Sequence, residues 1–89
     1  MSDKQASVKS TDMPEDMQKE TIELTQKAME SSNSDGEVAA KLKAAMDEKF
    51  GETWHCTVGS SYGSKVSHIE GTFIFFYLGS KAVQIYRFG

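Results

Sequence analysis

Thr72-Phe73-Ile74-Phe75-Phe76-Tyr77-Leu78 is the stretch on which the fold turns. Its residues are β-branched or aromatic with one leucine, and Gly79-Ser80 closes it with a turn, so it reads as a strand. Side chains alternate along a strand. Phe73, Phe75 and Tyr77 therefore share one face, and Ile74, Phe76 and Leu78 share the other. Both faces are apolar. The next strand, Ala82–Phe88, behaves alike, with Val83 and Ile85 opposite Ala82, Tyr86 and Phe88. An antiparallel sheet with one solvated face alternates apolar with polar residues. This one does not, so both of its faces require cover.

Moving upstream, Thr53–Val58 and Tyr62–His68 are further strand candidates, separated by turns at Gly59-Ser60-Ser61 and Glu70-Gly71. Two helices precede them. Asp12-Met13-Pro14-Glu15 is a helix start with Asp12 as cap, followed by Met17, Thr21, Leu24 and Ala28 at helical spacing. Ser31 to Ser34 interrupt that stripe. Ser34 or Asp35 caps a second helix with Val38, Ala39, Leu42, Ala45, Met46 and Phe50 on its stripe, and Gly51 ends it. Residues 5–11 form a short, weakly apolar strand. The expected class is α+β, one domain over 1–89: a short strand, two helices, then a four-stranded antiparallel meander.

Eighty-nine residues bury roughly 60–65% of the surface an unfolded chain exposes, so such a domain needs additional stabilisation. One cysteine, Cys56, excludes an internal disulfide, and with two histidines it cannot complete a Cys/His zinc cage. Self-association remains. Two helices cover one sheet face, and a second copy of the sheet in a two-fold dimer is the simplest cover for the other. The alternative is a monomer with a helix on each face. Residues 1–52 carry twelve acids against seven bases, while residues 53–89 carry one acid against three bases. No dense Lys/Arg patch marks a nucleic-acid binder. No apolar run approaches the ~18 residues of a membrane span. The N-terminus lacks the apolar run of a signal peptide, so an intracellular protein is expected.

Few residues suggest chemistry. In Trp54-His55-Cys56 the imidazole and thiol point to opposite faces of a strand, so His55 cannot activate Cys56 there. A thiol-dependent enzyme would have to recruit His68. Gly59-Ser60-Ser61-Tyr62-Gly63 has no helix after it and is no phosphate loop. No catalytic constellation, metal or cofactor is indicated. Tyr62-Gly63-Ser64-Lys65-Val66-Ser67-His68 is extended, small and weakly apolar. Its backbone could pair with another chain or with an extended peptide, unless it is an ordinary edge strand blunted by Lys65.

Thr53-Trp54-His55-Cys56-Thr57-Val58-Gly59, Tyr62-Gly63-Ser64 and Phe73-Ile74-Phe75-Phe76-Tyr77-Leu78-Gly79, with Asp12-Met13, Glu15, Met17-Gln18 and Ala39-Ala40, closely resemble the eight-kilodalton dynein light chain family over essentially the whole chain. The resemblance implies a non-catalytic homodimer in which the Tyr62–Ser67 strand crosses to the other subunit's sheet. It implies two interface grooves, each accepting a disordered segment with a Thr-Gln-Thr-like core by strand addition, the dynein intermediate chain among the partners. By position, Ser60, Ser61, Tyr62, Gly63, Ser64, Lys65, Val66, Ser67 and His68 would form the groove edge. Phe73, Phe75 and Tyr77 would form its floor. Ser10, Asp12, Asp35 and Gly36 of the other subunit would close one side. Asp35 stands where a family acid receives the ligand glutamine. His55, with Gly63, Ser64, Lys65, Val66 and Ser67, would lie in the dimer interface, where protonation of His55 is expected to oppose dimerisation. The implied location is cytoplasmic and microtubule-associated, or axonemal. The alternative role is a structural axonemal or cytoskeletal subunit. Gly36, Lys65, Ser67, Ser60-Ser61 and Phe88 stand where the family usually has Lys, an aromatic, Thr, Arg-Asn and Ser, so ligand preference is expected to differ.

Overall fold

The computed structural model describes residues 6–60 and 68–89. Along the chain come β1 (Ala6–Thr11), α1 (Glu15–Glu30), α2 (Asp35–Phe50), β2 (Trp54–Gly59), β3 (Ile74–Leu78) and β4 (Lys81–Arg87). The expected sequence of short strand, two helices and antiparallel strands is present. The strand expected at Tyr62–His68 lies outside the described residues except for His68, which is not in a strand.

The described strands form one antiparallel sheet in the order β1-β3-β4-β2. This corrects the expected meander, because only β3 and β4 are a hairpin of consecutive neighbours. β3 and β4 are the most apolar strands and take the central places, where both edges are paired. The more polar β1 and β2 take the edges. β1 joins β3 with Ser10 opposite Phe75 and Ser7 opposite Tyr77, and its register shifts between Val8 and Ser10. β2 joins β4 with His55 opposite Tyr86 and Cys56 opposite Ile85.

One core holds the helices to the sheet. Leu42 and Met46 of α2 meet Trp54, Ile74, Phe76, Leu78, Val83 and Ile85, all buried. Burial in β3 alternates, with Ile74, Phe76 and Leu78 buried and Phe75 and Tyr77 only partly so. Both helices therefore serve one face, since α1 reaches the same core through Thr21, whose hydroxyl lies against the sulfurs of Met13 and Met46. A helix on each face does not occur.

Local chemistry accounts for the helix ends. Ser34 Oγ accepts the Glu37 N–H at 3.1 Å and satisfies one end donor of α2, and the Glu37 carboxylate reaches back to accept the N–H of Asn33, just before the cap, at 2.7 Å. Gly51, at φ 84°, ends α2 and donates its N–H to Asp47 O at 3.0 Å. Asp47 then accepts the Trp54 N–H at 2.8 Å and ties the end of α2 to the start of β2. The Lys43 ammonium and that N–H hold the Asp47 carboxyl below its ordinary range. α1 differs from expectation. Pro14 precedes it with no side-chain cap, because the Asp12 carboxylate is engaged elsewhere. Its buried residues are Thr21, Thr25 and Ala28, while Met17 and Leu24 are half-buried. Thr25 is tolerated in the core because its hydroxyl donates to Thr21 O at 2.8 Å.

Candidate functional site

β2 is an outer strand of the described sheet, with β4 on one side only. Beside it α2 presents Ala39, Ala40 and Lys43. Together with Trp54, His55, Cys56, Thr57 and Tyr86 these residues line an open trough of about 390 Å³. Two consecutive alanines leave room that longer side chains would fill. An outer strand of a sheet carries backbone donors and acceptors along its edge, the chemistry by which strands are added to sheets. Ala39 was legible as part of a helical stripe and Ala40 only through the family resemblance. Lys43, Thr57 and Tyr86 were not, because their convergence depends on how β2 crosses α2.

The second part of the site is the sheet face away from the helices. Phe75 and Tyr77 contact edge to face with ring centroids 5.7 Å apart, and the Lys9 ammonium lies 5.9 Å from the Tyr77 ring centroid. His55 stacks on Tyr86 at 5.2 Å, and its Nε2 is 3.0 Å from Phe88 O. The Phe88 side chain itself is 52% exposed.

Asp12 organises the start of β3. Its carboxylate accepts the Gly71 and Phe73 N–H groups, each at 2.9 Å, and lies 3.1 Å from His68 Nε2. Burial opposes the Asp12 charge, but these two N–H groups and the His68 ring outweigh it and hold the carboxyl below its ordinary range. Thr11 Oγ1 donates to Phe73 O at 2.8 Å and accepts the Met13 N–H at 3.0 Å. His68 packs against Phe73 with ring centroids 5.0 Å apart.

These contacts bring Ser10, Asp12, His68, Phe73, Phe75 and Tyr77 together within one chain. Within one chain Ser10 stands opposite Phe75, and the Asp12 carboxylate holds the Phe73 N–H. Asp35 and Gly36 stand apart at the start of α2, and Lys81 Nζ lies 3.1 Å from Asp35 Oδ1. Ser60 is exposed after β2. Ser61, Tyr62, Gly63, Ser64, Lys65, Val66 and Ser67 lie outside the described residues.

The thiol reading finds no support. Burial pushes the Cys56 thiol up to about 12, and His68 is paired with Asp12 instead. Among the described residues no Cys, His, Asp and Glu group is placed to hold a metal ion. No described helix is long and apolar enough to cross a membrane.

Residues 5–88 match the family model of dynein light chain type 1. The chain belongs to the dynein light chain family. This light chain is 39% identical over 83 residues to the cytoplasmic dynein light chain 1 of Candida glabrata, covering 93% of its own length and 96% of that protein. Its fold is similar to the dynein light chain-like domain of a Fasciola hepatica calcium binding protein, with a TM-score of 0.85 and 30% identity over 98% of this chain and 94% of that one. A further similarity, to the dynein light chain-like domain of CsTAL3, has a TM-score of 0.74 at 23% identity over 92% and 90% of the two chains, and bears on fold alone. Membership assigns this light chain to the dynein motor system as an accessory subunit of the cytoplasm, in a family that is generally non-catalytic.

Proposed function

We propose that this light chain is a homodimeric hub that binds extended, disordered segments of dynein-associated and other proteins by strand addition. The observation that carries this reading is that β2, the outer strand of the described sheet, borders the Ala39-Ala40 trough. The segment 61–67 of a second copy occupies that edge, and the partner peptide adds alongside it. The aromatic face of Phe75, Tyr77 and Tyr86, which neither helix covers, supports the dimer on independent grounds. His55 lies at the junction of trough and face and belongs to the interface. Ser10, Asp12, His68 and Phe73 line one end of the groove, and Asp35 and Gly36 line the other.

A bound peptide of about six to eight residues makes several backbone hydrogen bonds, each contributing a net ~0.5–1.5 kcal/mol, and ordering the peptide cancels much of that gain. One groove alone then gives an affinity on the order of micromolar. Two grooves in one dimer change the outcome for a partner that is itself paired, where avidity rises by roughly 10²–10⁴. The light chain thus acts as a clamp that holds two partner chains side by side.

Sedimentation equilibrium and titration with a Thr-Gln-Thr peptide test the reading together. A dimer that binds two peptides, with amide shifts in residues 61–68, is expected. A monomer at micromolar concentration would overturn the dimer. A dimer that ignores millimolar peptide would leave a structural cytoskeletal subunit.

A further inference from the structure

The start of α2 carries a feature that bears on which peptides are taken. Asp35, the first residue of the helix, is 40% exposed, and Lys81, the first residue of β4, is 35% exposed. Lys81 Nζ lies 3.1 Å from Asp35 Oδ1 and 3.2 Å from Oδ2, so one ammonium spans both carboxylate oxygens. Both residues line a cavity of about 220 Å³, whose wall also includes Ser32 and Ser34. Ser32 Oγ is buried and has no hydrogen-bond partner among the described residues.

We propose that Lys81 is a specificity-determining residue of the peptide groove, shifting preference at the position facing Asp35 from a neutral amide towards an acidic side chain. The inference rests on the groove reading above. An amide side chain that donates to Asp35 must share the carboxylate oxygens with an ammonium already bridging them. An acidic side chain meets the ammonium, which has three N–H donors. With an uncharged residue at position 81, Asp35 would face the ligand as a lone carboxylate. It would then accept from an amide and repel an acid. The sign of the effect follows from the charges alone. Both groups are partly exposed, so solvent and salt screen the effect to about tenfold in relative affinity.

The test uses the full-length protein, its Lys81→Met and Lys81→Arg variants, and two peptides that differ only in a Thr-Gln-Thr or Thr-Glu-Thr core. Calorimetric titration gives the Glu-to-Gln affinity ratio for each protein. The ratio is expected to fall about tenfold from the natural protein to Lys81→Met, to be retained in Lys81→Arg, and to lose this difference at high salt. Thermal melting of each variant establishes that it is folded. If both peptides bind and the ratio is the same within about twofold in all three proteins, Lys81 has no role in selection and the groove reading stands. If neither peptide binds any of the three, the groove reading falls and the role of Lys81 falls with it.

Discussion

Replacing Asp12 by alanine removes a side chain that ties the approach to β3 onto the end of β1. The lost contacts are two charge-assisted hydrogen bonds from the Gly71 and Phe73 N–H groups at 2.9 Å and the contact with His68 at 3.1 Å. Hydrogen bonds to a charged acceptor contribute a net ~1.5–3 kcal/mol where water is excluded. The Asp12 side chain is 41% exposed, so water takes over part of the role and each amide bond is discounted to about 0.5–1 kcal/mol. The half-exposed His68 contact adds about 0–1 kcal/mol. Asp12→Ala should therefore destabilise the fold by about 1–3 kcal/mol. Asp12→Asn, which keeps one acceptor oxygen, should lose about half of that. Urea denaturation at fixed protein concentration measures both. The loss also has a defined pH dependence. The folded carboxyl titrates below the ordinary value of 3.8, so its stabilisation is fully present above that pH and disappears as pH falls through the lower folded pKa. The natural protein and Asp12→Ala should converge in acid. A loss below ~0.5 kcal/mol at neutral pH, or a difference that does not shrink as the pH falls below the ordinary carboxyl value, would refute the account.

Other positions give sharper or broader effects. Ser34→Ala removes the cap of α2 and should lower stability by about 0.5–2 kcal/mol in thermal or chemical melts, with Ser34→Gly milder. Leu42→Ala opens a cavity against Ile74 and Phe76 and should lower stability by about 2–5 kcal/mol, measured in the same way. Cys56, with its thiol at about 12, should react with iodoacetamide at pH 8 on the order of 10³-fold more slowly in the folded protein than in urea. His55→Lys places a cation on the Tyr86 ring at the proposed interface. It should shift the sedimentation profile towards monomer without unfolding the core.

The apolar alternation of residues 72–78 was enough to foresee a sheet with two faces to cover, and β3 keeps that alternation residue for residue. The periodicity of α2 and its Ser34 and Gly51 boundaries were equally legible, since each depends on neighbours within four positions. Strand order was not. The choice between β2 beside β4 and β2 beside its next strand in sequence depends on contacts dozens of residues apart, and local patterning carries no record of them. Asp12 shows the same limit. Its spacing to Glu15 suits a helix cap, yet the amides of Gly71 and Phe73, some sixty residues away, compete for the same oxygens and win. Thr25 went unremarked as a core residue because its polarity hides a hydroxyl satisfied within its own helix.

The two features that ask for a second copy are separate in the fold and need the same solution. The face of Phe75, Tyr77 and Tyr86 is an apolar surface, and apolar contact has no direction. It could be covered by a second sheet in many orientations. The edge of β2 is a row of backbone dipoles, which accepts a strand only in register and only within the plane of the sheet. A dimer held by the face alone would slide, and one held by the edge alone would be small and wet. When one copy supplies both contacts, the edge fixes the angle at which the faces meet. The same interface then creates a new outer edge, contributed by the partner copy, on which a peptide can be added. In the proposed arrangement peptide binding therefore depends on dimerisation. A variant that dissociates the dimer, such as His55→Lys, should lose peptide affinity although every groove residue of Ser10, Asp12, Phe73, Phe75 and Tyr77 remains in place. Retained affinity in a proven monomer would separate the groove from the interface and require a peptide site within one chain.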